Sequence, residues 1–535
     1  MRAAGLLTLL FFTAFPLVAS GQAESCLNAG RLDELRTQIL KGTGASEANT
    51  PLRDEIQKSA LTINELFRRP RAEDKDAENA KAGLNEAQMT ASKRICAILN
   101  TEGWPTRAAI AEEGMNAFLY LIGRTLTIRM QLELYPLVAA SYEKGEIAGS
   151  EALAAYVDRL RVALGRKQLY GTQVSIKDGF LVQAPIELAT DVDKRREKMK
   201  LVPLRQYERA LEIANRLPLI RAVTEPVGNF ASRRASAGSA ADDSLGLEGE
   251  EQAIKIETAF VSVDVNIPDG TDGTSAALEK SDFKLLDNGK PVEIETFAKA
   301  ETPFDIVLLL DLSGSTSDKV GLIKKTTKRF VEMKRTSDRL AVIVFNDRQT
   351  VVSELESDQT VLLERIKKIS GNGGSFIWDA VSSGLTMLDE KSEKGRRKAI
   401  VLMTDGVDNL LGFYATQSNR AGFADLVEQI QSSNVTIFPI YLDTQHGRGA
   451  KHVHESARNT LAYMADQSGG NVYTAKKLDD LEGIYDRVLK GVGTVYTLGF
   501  SPEGESTGRS WRTIKVEVPS RPALRLRHRP GYFTR

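Results

Sequence analysis

One junction constrains this sequence more than any other feature, because a short apolar run ends there in a group of oxygen-bearing side chains. The run occupies residues 306–310 (IVLLL), and residues 311–315 (DLSGS) follow it directly. An unbroken apolar run of this length predicts a strand that is buried on both faces, as in parallel sheets. Open parallel sheets bind ligands beyond the carboxyl ends of their strands. Asp311, Ser313 and Ser315 are therefore candidate ligands for Mg²⁺, Mn²⁺ or Ca²⁺, and poor ligands for zinc.

The chain around this junction alternates between strand and helix patterns. The predicted strands are residues 304–310, 340–345, 351–355, 399–403, 435–442 and 472–474. The predicted helices are residues 319–333, 360–369, 378–388, 423–432, 456–467 and 478–489. Such alternation predicts a mainly parallel sheet with helices on both faces. Since residues 346–349 are too short for a parallel crossover, the second and third strands should form an antiparallel edge pair.

Three segments of this region resemble the metal loops of the von Willebrand factor A family. They are residues 311–315, residues 404–406 (TDG) and residues 372–380 (NGGSFIWDA), where serine stands in the position that usually holds threonine. The resemblance implies a Rossmann-like α/β domain with a metal-ion-dependent adhesion site. It also implies that three hydroxyls and two carboxylates hold the ion, directly or through water. The implied metal ligands are Asp311, Ser313, Ser315, Ser375 and Asp405.

A site of this composition favours binding over catalysis. Two carboxylates only just balance a divalent ion, and neutral hydroxyls leave it electrophilic, so an Asp or Glu of a partner protein can take an open position. The sequence contains no His-Glu-x-x-His, Gly-x-Ser-x-Gly or P-loop pattern. We therefore expect an adhesion-type protein-binding module and no enzyme. The alternatives are a structural cell-envelope scaffold with a vestigial metal site, and a hydrolase activity in the helical domain.

The amino terminus predicts export. Residues 1–20 have a positive charge at Arg2, an apolar stretch over residues 6–18 and the small pair Ala19-Ser20. This pattern is typical of a secretory signal peptide, and the apolar stretch is too short for a membrane anchor. No later stretch has transmembrane length, so we expect a secreted, periplasmic or envelope-associated protein. Von Willebrand A domains also serve as cytoplasmic partners of AAA ATPases, and an uncleaved Met1 would favour that alternative.

Charge and cysteine content narrow the function further. The chain has 71 Lys and Arg residues against 71 Asp and Glu residues, which argues against a nucleic-acid or membrane-surface binder that relies on bulk charge. Its two cysteines, Cys26 and Cys96, would meet an oxidising environment after export. The sequence is compatible both with one disulfide bond and with two separate thiols.

Residues 25–217 are predicted to form a helical domain. Helical patterns cover residues 52–67, 80–99, 107–120 and 126–142. The segments 103–105 (GWP), 158–159 (DR) and 168–173 (QLYGTQ), together with Gln131, resemble a bacterial domain family of unestablished function, over roughly residues 52–217. That family usually has a His-Ala-Asp-like stretch where this chain has residues 123–125 (GRT). The resemblance therefore implies a structural module here, without catalysis.

The remaining segments predict an inserted arrangement. Residues 225–252 are rich in Gly, Ser, Ala and charge, which is typical of a flexible linker. Strand patterns at residues 254–267, 283–286 and 292–297 precede the α/β domain (303–490), and others at residues 496–500, 511–518 and 524–533 follow it. The two groups, at residues 253–300 and 493–535, are predicted to pair into one small β-sandwich. The whole arrangement resembles the secreted von Willebrand factor A-related proteins known chiefly from acidobacteria.

Two further clusters have simple interpretations. Arg525, Arg527 and Arg529 alternate with leucines, which predicts the solvent face of a strand and leaves an anion site as the alternative. His446, His452 and His454 fall within residues 444–455, for which a surface loop is expected and a transition-metal site is the alternative.

Overall fold

The structure of the protein is a computed structural model that describes residues 26–43, 47–68, 75–222, 260–267, 278–299, 302–312, 320–346, 348–369, 375–404, 422–442, 451–475, 480, 483–484, 486–488, 495–502 and 510–534. The chain divides into two units. The first comprises Met1–Lys177 and Leu181–Asn215, and the second comprises Asp178–Phe180 and Arg216–Arg535. The predicted signal peptide and linker lie outside the described residues.

The first unit is mainly helical, as predicted. Its helices, α1 to α8, are Ala29–Lys41, Thr50–Arg68, Lys75–Thr101, Arg107–Thr125, Ile128–Glu143, Glu151–Ala163, Val192–Lys198 and Leu204–Asn215. Three short strands lie in this part of the chain: β1 (Val174–Lys177), β2 (Phe180–Gln183) and β3 (Leu219–Arg221), of which Phe180 and all of β3 belong to the second unit. Helix α5 begins two residues later than predicted because the Thr127 side chain accepts a hydrogen bond from the backbone N–H of Met130 at 3.3 Å and caps the helix.

An apolar core and one disulfide bond hold the helical unit together. Leu35, Leu99 and Phe118 are fully buried in this core, and the rings of Trp104 and Phe118 meet edge to face at 5.6 Å. Cys26 and Cys96 form a disulfide across 70 residues, which resolves the alternative that the sequence left open. A cross-link of this length restricts the unfolded chain and contributes about 4 kcal/mol in the loop-entropy model.

The second unit contains the predicted α/β domain. Its sheet has the strand order β10-β9-β8-β11-β12-β13. Strands β8 to β13 are Phe304–Asp311, Arg339–Phe345, Gln349–Glu356, Arg397–Thr404, Val435–Leu442 and Tyr473–Ala475. Helices α9 to α13 are Val320–Met333, Gln359–Ile366, Ile377–Lys391, Phe423–Ser432 and Lys451–Ser468. All described neighbours run parallel except β9 and β10, which form the predicted antiparallel edge pair.

The central strands are buried as their composition requires. All eight residues of β8 and all eight of β12 are buried, so neither strand has a solvent face. This is the pattern of a parallel strand that is covered by helices on both sides. Half of the predicted helix at residues 478–489 lies outside the described residues, and the residues described there are helical.

Strands from both sides of the α/β domain pair into two small antiparallel sheets that share one core. One sheet has the order β4-β14-β7 and the other β16-β15-β5-β6. Strands β4 to β7 are Val261–Asn266, Lys284–Asp287, Lys290–Val292 and Thr296–Ala298, and β14 to β16 are Val495–Phe500, Trp511–Glu517 and Gly531–Phe533. Val263, Leu498 and Phe500 lie fully buried in the shared core. The α/β domain is therefore inserted in a β-sandwich, as predicted.

Three details of the sandwich correct the sequence prediction. The turn between β5 and β6 contains only Asn288 and Gly289, and both have positive φ, as a two-residue hairpin turn requires. The strand predicted at residues 524–533 is much shorter, because only Gly531–Phe533 forms a strand and Arg527 makes an isolated bridge with Asn266. The strand predicted at residues 292–297 is divided, since β6 ends at Val292 and β7 pairs in the other sheet.

Candidate functional site

The predicted metal loops start at the carboxyl edge of the parallel sheet. Strand β8 ends at Asp311 and its parallel neighbour β11 ends at Thr404, with Leu310 opposite Met403 in the register. Because both strands end at the same level, their last side chains lie side by side. Open α/β sheets bind ligands at this edge.

A serine from a third segment joins these two residues. Ser375 stands two residues before α11, and its hydroxyl donates a hydrogen bond to Asp311 Oδ2 at 2.9 Å. The Thr404 hydroxyl donates to the same oxygen at 2.6 Å. Asp311 and Thr404 are fully buried and Ser375 is 3% exposed, so one carboxylate and two hydroxyls converge below the surface. We call these three residues the carboxyl-edge cluster.

The structure therefore brings together two of the predicted metal ligands, Asp311 and Ser375. Ser313, Ser315 and Asp405 lie outside the described residues. Thr404 was not among the predicted ligands, although it belongs to the TDG segment. A polar residue at the end of a buried apolar strand was the signal for it, because such a residue must find a hydrogen-bond partner.

The carboxyl-edge cluster fits a hard divalent cation. All its donor atoms are oxygens, which Mg²⁺, Mn²⁺ and Ca²⁺ prefer. Adjacent ligand oxygens of an octahedral Mg²⁺ ion lie about 3 Å apart, given Mg–O distances of about 2.1 Å. The Ser375 and Asp311 oxygens are 2.9 Å apart, so their spacing is compatible with two neighbouring ligands. Across the described ranges, no group of three or more His, Cys, Asp or Glu side chains is placed to hold a metal.

The opposite end of β8 carries a different cluster. Asp305 is fully buried and accepts hydrogen bonds from Arg339 at 2.7 and 2.9 Å, and from Arg396 at 2.6 Å. The Ser392 hydroxyl donates to it at 2.7 Å. Burial acts to raise the pKa of Asp305, but the hydrogen bonds from Arg339, Ser392 and Arg396 outweigh it and hold the pKa below its ordinary value. This cluster joins three segments of the α/β domain.

The recognisable residues of the helical unit serve its own architecture. The buried carboxylate of Asp158 accepts hydrogen bonds from the backbone N–H groups of Leu169, Tyr170 and Thr172. The Thr172 hydroxyl donates to it as well, at 2.8 Å. Asp158 thus organises the QLYGTQ segment from within, and burial raises its pKa against these hydrogen bonds.

The amides of this unit act in the same way. The Gln168 side chain donates to the backbone carbonyl of Ala184 at 2.6 Å and accepts from the N–H of Gln173 at 2.8 Å. The Gln131 amide donates to the backbone carbonyl of Leu126 at 2.8 Å. These contacts are those of a structural module.

The two secondary clusters differ from their predicted forms. Arg527 pairs with Asp466 at 2.7 Å, and Arg529 donates to the backbone carbonyl of Ser262 at 2.6 Å, so neither lies on the solvent face of a strand. Arg525 is exposed. Helix α13 begins at Lys451, so the last residues of the predicted loop 444–455 are helical. The side chains of His446, His452 and His454 lie outside the described residues.

Two family models match the chain. Residues 305–487 match the von Willebrand factor type A domain, and residues 62–219 match a family of unknown function (DUF6624). The α/β domain is therefore of the von Willebrand A type, as predicted, and the helical region corresponds to the second family. No curated protein matches the chain. Among the described residues, no helix combines the length and apolarity that crossing a membrane requires.

Several solved structures are similar to part of the chain. An aerotolerance-related membrane protein from Bacteroides fragilis is 15% identical, with a TM-score of 0.28, covering 35% of this chain and 98% of that one. The von Willebrand factor domain of the type V pili tip protein Mfa5 from Porphyromonas gingivalis is 15% identical (TM-score 0.29; 38% and 98% covered). Proximal thread matrix protein 1 from the mussel byssus, with a zinc-occupied MIDAS motif, is 19% identical (TM-score 0.30; 39% and 50% covered). Structural similarity at these TM-scores gives no information about the function of this chain.

Proposed function

We propose that this protein is exported and captures an acidic residue of a partner protein through a divalent metal, without enzymatic activity. The proposed ligands are Asp311, Ser313, Ser315, Ser375 and Asp405. The observation that carries the proposal is the convergence of Asp311 and Ser375 at the carboxyl edge of a sheet whose sequence matches the von Willebrand factor type A domain.

The chemistry of the cluster supports binding of a carboxylate. Serine and threonine hydroxyls donate hydrogen bonds to Asp311 without neutralising its negative charge. A divalent ion bound at this edge would supply an electrophilic position for the carboxylate of a partner. Mg²⁺ is the first expectation for the ion, with Mn²⁺ and Ca²⁺ as the other oxygen-preferring candidates.

The residues of the cluster are held in place before any partner arrives. Asp311 and Thr404 are the last residues of two buried parallel strands, whose backbones are fixed by the sheet. Ser375 is fixed by its position just ahead of α11. A rigid set of ligands lowers the ordering cost of binding, because the side chains do not have to be immobilised.

The absence of catalysis is part of the same proposal. A metal that hydrolyses a substrate needs a nearby general base to activate water, and the sequence contains none of the patterns that usually supply one. In the helical unit, Asp158 and Gln168 are engaged in structural hydrogen bonds. A broad hydrolase screen of the full chain tests this part, and reproducible turnover by the purified protein would contradict it.

The binding proposal is tested by partner capture from envelope extract with the full chain. We expect specific protein capture in Mg²⁺ that EDTA abolishes and that Asp311→Ala removes. The matched control is Asp389→Ala, which removes a carboxylate with a side chain that is 90% exposed and should leave capture unchanged. Capture that persists in EDTA and in Asp311→Ala would instead support the scaffold alternative.

The acidic character of the partner residue needs its own experiment. Once a captured protein is identified, replacing its contact Asp or Glu residues by Asn or Gln should abolish metal-dependent capture. Capture that survives all such replacements would contradict this part alone. Export is tested by amino-terminal sequencing of the protein from its native cell, and an uncleaved Met1 would contradict it.

A further inference from the structure

One face of the α/β domain carries an excess of basic side chains. Helix α9 contains four basic residues and one acidic residue, and α10 with the two residues after it contains three basic residues and one acidic residue. The exposed basic side chains of this set, which we call the basic face, are Lys325, Lys328, Arg329, Lys367 and Lys368. Because acidic and basic residues are equal in number over the whole chain, this excess is local.

The two helices lie side by side and run in opposite directions. Near the start of α9, the Lys324 side chain donates to the backbone carbonyl of Lys367, just after α10, at 3.2 Å. Just after the end of α9, the Lys334 side chain donates to the backbone carbonyl of Ser357, just before α10, at 2.7 Å. The start of α9 is therefore the neighbour of the end of α10, and the basic residues of both helices lie together.

The basic face lies on the side of the domain where the parallel strands end. Helix α9 links β8 to its parallel neighbour β9, so it returns the chain from the carboxyl edge of the sheet to the amino edge. Helix α10 runs the other way, because Glu356 at the end of β10 lies opposite Leu340 near the beginning of β9. Ser375 of the carboxyl-edge cluster then follows α10 in the chain. The start of α9 and the end of α10 therefore point toward the carboxyl-edge cluster.

The helices on the other face of the sheet have the opposite charge. Phe330 of α9 packs in one core with Leu308 and Leu310 of β8, whereas Gly384 of α11 lies against Val307, whose side chain points to the other face. Helix α11 contains three acidic residues and one basic residue, and its neighbour α12 contains two acidic residues and no basic one. A charged partner can therefore bind one face of the domain in preference to the other.

The chain neutralises the basic face only in part. Lys328 and Arg329 share one acidic neighbour, Glu332, at 4.0 and 3.9 Å. Lys367 pairs with Glu364, and both side chains of this pair are exposed. Exposed ion pairs of this kind are weak, and the five basic side chains outnumber these two carboxylates. Positive charge is therefore left for a partner to meet.

We propose that the basic face binds the acidic surface of the partner protein whose carboxylate the metal captures. The inference rests on the proposed function, since a partner that supplies an Asp or Glu to the carboxyl edge must lie over this end of the domain. A partner with several acidic residues around that Asp or Glu would be attracted to the basic face and repelled by α11 and α12. The two faces thus set the orientation of the partner.

Two other occupants fit the basic face less well. Proteins that bind single-stranded nucleic acid combine basic grooves with aromatic stacking platforms, and Phe330, the one aromatic residue of α9 and α10, is fully buried. A second copy of this chain would have to present its acidic helices. Of these, α12 already uses Asp425 and Glu428 in ion pairs with Arg221. The charge pattern therefore favours a separate acidic protein.

Two synthetic peptides separate the basic face from the metal. Decaglutamate offers one carboxylate to the metal and others to the basic face, whereas a Gly-Ser peptide of equal length with a single Glu offers only the first. The metal alone gives decaglutamate a statistical advantage of about tenfold. With the full chain in Mg²⁺ and low salt, its advantage in affinity should be about a hundredfold. At about 1 M NaCl, where the Debye length is about 3 Å, only the statistical part should remain.

The main variant replaces three exposed lysines of the basic face by glutamine: Lys325→Gln, Lys328→Gln and Lys368→Gln. At low salt its affinity for decaglutamate should fall about tenfold, whereas its affinity for the single-Glu peptide should not change. The matched control replaces three exposed lysines of the sandwich in the same way: Lys284→Gln, Lys290→Gln and Lys515→Gln. It lowers the net charge equally and should bind both peptides as the wild type does.

The outcomes distinguish this inference from the proposed function. A single-Glu peptide that shows no Mg²⁺-dependent binding contradicts the metal proposal, while a loss of decaglutamate affinity that is confined to the basic-face variant still supports the basic face. The inference is overturned if the basic-face variant and the sandwich control bind decaglutamate equally. It is also overturned if single-stranded decathymidylate binds the basic face more tightly than decaglutamate. An oligomer in low salt that the basic-face variant abolishes, as measured by analytical ultracentrifugation, would identify a second copy as the occupant and overturn it as well.

Discussion

Two buried aspartates lie at opposite ends of the same strand and differ in the side chains that donate hydrogen bonds to their carboxylates. Asp305 lies near the beginning of β8 and Asp311 at its end, and both are fully buried. Asp305 forms ion pairs with Arg339 and Arg396, so cationic side chains of the protein neutralise it. Asp311 accepts hydrogen bonds from the hydroxyls of Ser375 and Thr404.

The difference separates a structural role from a binding role. Arginine forks bring the strands and loops at the amino end together and compensate the buried charge within the chain. Hydroxyls orient a carboxylate but leave its charge, and they can serve as metal ligands themselves. The two ends of β8 therefore predict opposite responses to mutation and to metal.

Removing the carboxylate at the amino end should have the largest effect on stability. Asp305→Asn leaves the guanidiniums of Arg339 and Arg396 without their counter-charge, and we expect a loss of about 3 kcal/mol of unfolding free energy. Urea denaturation, followed by a probe in the α/β domain, measures it. The loss should be the same in Mg²⁺ and in EDTA. A loss that appears only in Mg²⁺ would contradict the separation of the two ends.

Removing the carboxylate at the other end should change the response to metal instead. Wild-type protein at a Mg²⁺ concentration about one hundred times its dissociation constant should gain about 2.7 kcal/mol, and Asp311→Asn should lose that gain. In EDTA the variant should be close to the wild type in stability, because an amide oxygen at this position can still accept the hydrogen bonds from Ser375 and Thr404. Melting curves in Mg²⁺ and in EDTA measure both quantities. An unchanged Mg²⁺ increment in the variant would remove Asp311 from the site.

These two ends also differ in how far the sequence predicts them. The carboxyl end was predictable because an unbroken apolar run marks β8 as a buried strand, and the polar residue that ends such a run lies at the edge of the sheet. The amino-end cluster gave no such signal. Arg339 and Arg396 are 34 and 91 residues from Asp305 in the chain, and only the folded sheet brings them together.

The sandwich shows why alternation alone can mislead. Arg525, Arg527 and Arg529 alternate with Leu524, Leu526 and His528, which predicted a strand with a solvent face. In the structure, Arg527 is drawn to Asp466 and Arg529 to the backbone of Ser262, so tertiary contacts override the local pattern. Three of the five predicted metal ligands, Ser313, Ser315 and Asp405, stay predictions, since they lie outside the described residues.

Removing a hydroxyl at the carboxyl end of β8 should weaken Mg²⁺ binding less than removing the Asp311 carboxylate. Ser375→Ala removes one proposed ligand and should weaken Mg²⁺ binding about tenfold, or about 1.4 kcal/mol. Ser375→Thr keeps the hydroxyl and restricts its rotamer, so it should bind Mg²⁺ at least as tightly as the wild type. Calorimetric titration of Mg²⁺ measures both variants.

The matched control for these variants is Ser382→Ala. Ser382 lies on α11, where its hydroxyl donates to Gln429 at 2.7 Å, and the change should leave Mg²⁺ affinity unaltered. Equal losses in Ser375→Ala and Ser382→Ala would show that the effect comes from the helix and not from a metal ligand.

The smallest expected effect is a pH dependence of the free energy of unfolding, caused by Asp305 near the beginning of β8. The pKa of Asp305 is lowered from its ordinary value of 3.8, so the folded state binds a proton less readily than the unfolded state. The Asp305 carboxylate contributes fully to stability above its ordinary, unfolded-state pKa. This contribution is lost as the pH falls through the lower pKa of the folded state. Urea denaturation from pH 7 to about pH 3 should therefore show the gap between wild type and Asp305→Asn narrowing only below about pH 4. A gap that narrows already near neutral pH would mean that another group carries the effect.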